Sequence, residues 1–423
     1  MKNDKIWTWI GALALSVVLA ACGSGSGSGS VSLRLANATL THPSLDLLIN
    51  SGLSITATAT DTVSAYVGPG AGSNTLQVND SGSGTALATT VPTLTADQHY
   101  TLIAYESGGA VKTVVLNEDY TAPLSGTAQL RVYDVAPDAG KLDVYITDPS
   151  VTDLSTVASP TYSFTTNITT PLLTYSPGNY RVRITGYGNK ADLRMDIPSI
   201  TLANQEVATV LLTPTVGGTL LNGSTLVQQG TYSATRTTNA RVRLASAVSG
   251  SATVAASAGA TVIDSGSVAP AFGYYVLVPA ASALNVSVNG NSVGAPAKPL
   301  PAGGDATLLV YGTPTLSTAS LVLDDNRLPT DATTVKLNTI NGITGTLGTV
   351  TLTANTAPVG IGIAPGAASN YVSIPGSANA TNLTLTSSLH GIIKTDATNI
   401  LIANTVYTVL SAGDYTAPQF LIR

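Results

Sequence analysis

Along Tyr180-Arg181-Val182-Arg183-Ile184-Thr185 apolar and polar positions alternate. Tyr180, Val182 and Ile184 fall on one face, and the two arginines with Thr185 fall on the other. Arg241-Val242-Arg243-Leu244 repeats the pattern. A period of two is the signature of a strand with one face buried. Short runs of this kind, divided by Gly, Pro, Asn and Asp, continue from residue 31 to residue 423, and no helical periodicity of useful length interrupts them. The pattern predicts half-buried antiparallel strands throughout.

The strands recur in a fixed order. An opening segment, Leu33-Arg34-Leu35-Ala36-Asn37, has counterparts in Leu130-Arg131-Val132-Tyr133-Asp134, Val242-Arg243-Leu244-Ala245-Ser246 and Val335-Lys336-Leu337-Asn338-Thr339. A second strand, Leu45-Asp46-Leu47-Leu48-Ile49, matches Leu142-Asp143-Val144-Tyr145-Ile146, with weaker matches at Ala252-Thr253-Val254 and Thr349-Val350-Thr351-Leu352. A tyrosine then precedes a proline turn at Tyr66, Tyr175, Tyr275 and Tyr371, the prolines being 108, 102 and 96 residues apart. A later strand carries Thr101, Thr209, Thr307 and Thr408, spaced by 108, 98 and 101. A unit of about 100 residues with roughly seven short strands fits an immunoglobulin-like β-sandwich. A propeller blade repeats at about 40–50 residues and would need two blades per unit. The expected architecture is therefore all-β, with tandem immunoglobulin-like sandwiches in a rod.

The opening strand, the Leu-Asp-Val-Tyr strand, the Tyr-x-Pro-Gly turn and the Tyr-Thr-Leu strand resemble the family called domain of unknown function 4397. The resemblance extends over most of residues 31–423 and is clearest in the first two copies. It implies tandem sandwiches in bacterial envelope lipoproteins, and it carries no catalytic or ligand residues across.

Copies are expected at 31–126, 127–213, 239–330 and 331–423. Copies one and two meet across Asp119-Tyr120-Thr121-Ala122-Pro123, and copies three and four across Asp324-Asp325-Asn326-Arg327-Leu328-Pro329. The longer stretch 214–238 is rich in Gly, Ser and Thr, and reads as a linker joining two stiff pairs.

Ahead of the repeats, Lys2 and Lys5 open the chain and 16 mostly apolar residues follow, Ile6 to Ala21. That is short of the ~20 needed to span a bilayer. The layout is that of a secretory signal peptide over residues 1–21. Leu19-Ala20-Ala21-Cys22 resembles the lipobox of bacterial lipoproteins. This implies lipid attachment at Cys22 and cleavage before it, the thiolate being the best side-chain nucleophile at neutral pH. Gly23 rather than Asp after the cysteine implies the outer membrane, and residues 22–30 then form the lipidated cysteine and a Gly/Ser tether.

Composition narrows the chemistry. Charged residues are 10%, the net charge is −5, and Cys22 is the lone cysteine. Intrachain disulfides and CxxC metal sites are excluded, and a nucleic-acid surface is disfavoured. Asp97-Gln98-His99 suggests a triad fragment. The other copies carry Asn204, Gly303 and Asn404 near the Asp97 position, residues that tolerate a left-handed turn. Asn117-Glu118-Asp119 and Asp324-Asp325-Asn326 cluster oxygen ligands at junctions, without the spacing of a calcium loop, and read as solvated turns. The sequence thus points to no catalytic residue, metal or cofactor. It predicts a non-enzymatic envelope lipoprotein: a spacer, adhesion or binding module held to the membrane by its lipid, facing polysaccharide or envelope proteins. The alternative is a hydrolase of envelope or extracellular polysaccharide, which would need paired carboxylates about 5–10 Å apart across a cleft.

Overall fold

The structure, a computed structural model, describes residues 29–166, 168–345 and 348–423. The expectations for the signal peptide and for Leu19, Ala20, Ala21 and Cys22 lie outside the described residues. The described residues are organised as four pairs of packed sheets, with two short 3₁₀ turns and no α-helix among them. No helix there is long and apolar enough to cross a membrane.

Each unit has the same plan. In the first, an inner sheet runs in the order Ala110–Asn117, His99–Ser107, Ser32–Asn37, Thr62–Val63. An outer sheet runs Gly52–Ala59, Ser44–Ile49, Leu76–Asp80, Ala86–Thr90. Leu33, Leu35, Leu45, Leu47, Leu76 and Leu102 fill the layer between them with no exposed surface. Alternation locates these strands well where one face is buried, as in Ala128–Asp134 and Ala380–Ser387.

The opening strands depart from the half-buried antiparallel expectation in two ways. Each pairs in parallel with the threonine-bearing strand: Arg34 opposite Thr101, Arg131 opposite Thr209, Arg243 opposite Thr307. Those of units one, three and four are also largely buried on both faces, while Ala128–Asp134 of unit two keeps the alternation. In Asn239–Val248 every residue but the first is buried. The cause is the packing of units. The inner sheets of units one and two lie face to face over Ala36, Ile103, Leu116, Val135, Leu211 and Leu226. Those of units three and four do the same over Ala245, Ala247, Leu309, Ile340, Leu410 and Ala412. The tandem sandwiches therefore pair broadside, where a rod would join them end to end.

In the fourth unit the register falls two residues from the expected place. Thr408 stands opposite Asn338, and Lys336 lies opposite Val406. A shift of two keeps every side chain on its own face, so Leu337 and Val335 are both buried and the pattern alone could not choose between them.

The stretch 214–238 is not a linker. Leu221–Val227 pairs antiparallel with Val207–Pro214, and Tyr232–Thr235 pairs with Leu221–Val227, extending the inner sheet of unit two to five strands. Its small residues serve close packing. A Cβ on Gly223 would come within 2.5 Å of Met195 Sδ and 3.0 Å of Ile197 Cδ1.

Candidate functional site

The αL turn is common to all four units. Asp97, Gln205, Gly303 and Asn404 each stand four residues before the strand threonine, with φ of 59°, 63°, 77° and 57°. Asp97 is thereby a turn residue. In unit two the position belongs to Gln205 rather than to Asn204, whose Oδ1 instead accepts from Gly126 N. His99 Nδ1 lies 3.0 Å from Asp119 Oδ1, with the His99 backbone N also donating to that carboxylate. His42 Nδ1 lies 3.2 Å from Asp80 Oδ1, and His390 stacks on Tyr415 at 4.4 Å. The three histidines are held at separate places and are not brought together.

Two of the junction carboxylates, Glu118 and Asp324, are buried rather than solvated, while Asp325 is half exposed. Glu118 is 3% exposed, and its Oε2 accepts from Arg34 Nη2 at 2.8 Å, Tyr66 OH at 2.8 Å and Gln229 N at 2.6 Å. Arg34 Nε donates to Thr101 Oγ1 at 2.9 Å, and the Thr101 hydroxyl donates to Glu118. Unit three rebuilds the node. Arg243 Nε donates to Thr307 Oγ1 at 2.9 Å, and Asp324 Oδ2 accepts from Thr307 at 2.6 Å and from Tyr275 OH at 2.7 Å. Burial, then the neighbouring carboxylate, pushes the Tyr66 and Tyr275 hydroxyls well above the ordinary tyrosine range. Burial also raises Asp324, against the pull of Arg243. The node couples units, since Arg34 Nη1 donates to Gly230 O of unit two and Arg243 Nη2 donates to Thr408 of unit four. Arginine, threonine, acid and tyrosine were each visible as landmarks; that they form one buried node was not. Both Glu118 oxygens are engaged by arginine and hydroxyl donors, whereas Asp324 has Oδ2 engaged by Thr307 and Tyr275 and Oδ1 buried without a hydrogen bond; among the described residues neither carboxylate belongs to a cluster that could hold a metal ion.

The last residue of the opening motif is a staple. Asn37 Oδ1 accepts from Thr39 N and Asp134 Oδ1 from Ala136 N, each two residues on, turning the chain as the strand ends; in unit four Asn341, two residues past the motif and inside Thr334–Thr344, accepts likewise from Ile343 N. Asp134 is the charged member. Burial, partly countered by the Ala136 N–H and reinforced by Asp138, pushes its carboxyl up to about 7.

Two features of the unit boundaries escaped the sequence reading. Arg241 forms a fork with Asp305 at 2.8 and 2.6 Å and reaches Asp192 of unit two at 3.0 Å, with Arg194 on the same carboxylate at 2.6 Å. The second is a cleft of about 580 Å³ lined from all four units, by Ser107, Gly108 and Lys112, by Pro137 and Asp138, by Asp325 and residues 327–330, and by Lys336, Ser373 and Asn404. It continues into a more apolar lobe of about 420 Å³ beside Leu40, Val111 and Val216. The hairpin tip Gly108-Gly109, at φ of 63° and 77°, borders both lobes, and two successive positive φ angles require glycine. The sole prior signal for the cleft was the charged junction 324–329.

Three comparisons bear on this architecture. No curated protein matches the chain. Among solved structures, a candidate cell adhesion protein from Bacteroides uniformis is 13% identical, covering 47% of this chain and 99% of its own, with a TM-score of 0.18. The TIE protein of Bacillus anthracis is 11% identical over 76% of this chain and 58% of its own, TM-score 0.15. The pneumococcal glycogen-degrading virulence factor SpuA is 9% identical over 84% and 36%, TM-score 0.15. None superposes on this chain as a whole. The family model described as Domain of unknown function (DUF4397) matches residues 31–145, which is the first unit and the first two strands of the second, so the resemblance read from the opening motif holds there.

Proposed function

We propose that the chain is a non-enzymatic envelope protein, tethered through lipid on Cys22 to the outer membrane, whose four sandwiches form one platform for adhesion or binding. The observation that supports this best is the convergence of four units on a single cleft. Tandem units that merely space a tip from a membrane have no need to close upon one another. The reactive side chains singled out in the sequence are engaged in structure: His99 with Asp119, Glu118 with Arg34, and Asp97 in a turn. The outer-membrane location and the anchor rest on Leu19-Ala20-Ala21-Cys22.

The test is a pull-down from surface-labelled cells expressing the full chain or Cys22→Ser, with fatty-acid labelling of both. The wild type takes up label and recovers a partner or polysaccharide. Label retained by Cys22→Ser removes the anchor. Turnover of a polysaccharide or casein by the purified chain, abolished by one Asp or Glu substitution, overturns the non-enzymatic reading.

A further inference from the structure

The cleft shared by the four units holds a charge that the chain does not neutralise. Three cations and two carboxylates line it. Lys336 Nζ sits 2.5 Å from Asp325 Oδ2, and Arg327 Nη1 sits 3.5 Å from Asp138 Oδ2. The side chain of Lys112, exposed on Ala110–Asn117, has no hydrogen bond or ion pair among the described residues. In a chain of net charge −5, the lining of this cleft carries one positive charge more than its own carboxylates balance, which leaves room for an external anion.

The rest of the lining says what carries that anion. Ser373 and Asn404 each offer both donors and acceptors, and Asp325 is half exposed. Hydroxyl groups, which also donate and accept, match such a set. In this lobe the apolar side chains are Pro137, Leu328 and Pro329; the hydrophobic anchors by which a peptide is held would seat in the adjoining lobe beside Leu40, Val111 and Val216 and not here. A surplus of one positive charge suits a carboxylate; a phosphate dianion would be left opposed to Asp138 and Asp325. The volume of about 580 Å³ lies within the range of small-ligand sites.

We propose that this cleft binds a carboxylate-bearing saccharide, its carboxylate on Lys112 and its hydroxyls on Ser373, Asn404 and Asp325. The proposal rests on the reading of the protein as a binding module and gives that module a site and a ligand class.

The test is calorimetric titration of the full, detergent-solubilised chain with trigalacturonate, neutral galactotriose, an acidic hexapeptide and inorganic phosphate. Trigalacturonate binds, and galactotriose binds about tenfold more weakly or less, the worth of one charge-assisted contact. Lys112→Gln loses about the same factor for trigalacturonate with an unchanged melting temperature, while Lys298→Gln, an exposed lysine elsewhere, loses nothing. Equal binding of the neutral sugar, or tighter binding of phosphate or peptide, overturns the ligand class. Trigalacturonate binding untouched by Lys112→Gln removes the cleft and leaves the binding-module reading standing. No saccharide binding, alongside a partner recovered in the pull-down, likewise sinks the cleft alone; failure of both removes the module reading as well.

Discussion

Asp134→Asn should stabilise the protein at neutral and alkaline pH, which is unusual for the loss of a buried charged group. Asp134 is 4% exposed, and its carboxyl is pushed up to about 7 by burial, with Asp138 adding to the rise. An unfolded aspartate titrates near 3.9. Between about pH 4 and 7 the folded state therefore holds a proton that the unfolded state has released. Stability from this group is fully present below about pH 4, falls as pH rises, and is level above about pH 7. A difference of about three units corresponds to about 4 kcal/mol as an upper bound. Asparagine keeps the acceptor for Ala136 N, as Asn37 and Asn341 do in units one and four. Its amide must find an acceptor, a need worth about 1–2 kcal/mol if unmet. The expected net gain at pH 8 is about 2 kcal/mol, or about 4–8 °C if units one and two unfold together as a body of about 200 residues. Thermal melts of both proteins from pH 4 to 8 check this. Carboxylates held low, such as Asp148 and Asp153, tilt both curves alike, so the difference between the two isolates Asp134. A variant that melts at or below the wild type at pH 8, or a difference that does not grow between pH 4 and 7, refutes the reasoning.

Two further predictions come from the interfaces. Arg34→Met strands the Glu118 carboxylate, buried with Thr101, Tyr66 and Gln229 N around it, and should cost about 3–5 kcal/mol in chemical denaturation; a loss under 1 kcal/mol would show that the pair is dispensable. Brief proteolysis should spare residues 214–238, since Leu221–Val227 and Tyr232–Thr235 are sheet strands, and a first cut between 221 and 235 would contradict that pairing.

Much of the fold was legible because one buried face per strand writes a period of two into the sequence. Leu130, Val132 and Leu45, Leu47 declare themselves in this way. The pattern fails where a strand is buried on both faces. Leu221-Asn222-Gly223-Ser224-Thr225-Leu226-Val227 looks like a flexible tract, yet Asn222 and Ser224 are 5% and 2% exposed because neighbouring strands and units cover them. The two-residue slip at Asn338 arose from the same periodicity that found the strand. The cleft was illegible for another reason: Lys112, Asp138, Arg327 and Lys336 belong to four different units, and no local spacing encodes their meeting.

The face-to-face pairing of inner sheets constrains how such a chain can change its length. A unit's inner sheet carries apolar residues on both sides, Leu35 toward its own core and Ala36 with Ile103 toward its neighbour. Removing one unit from a pair would bare that second face and leave the Arg34–Glu118 node opposite nothing, since Gly230 and Gln229 come from the partner. An uncovered apolar sheet is an invitation to self-association. Gene duplication or deletion would therefore be tolerated by twos: arrays of two, four or six units keep every inner sheet covered, and odd-numbered arrays leave one sheet that must find a mate on another molecule.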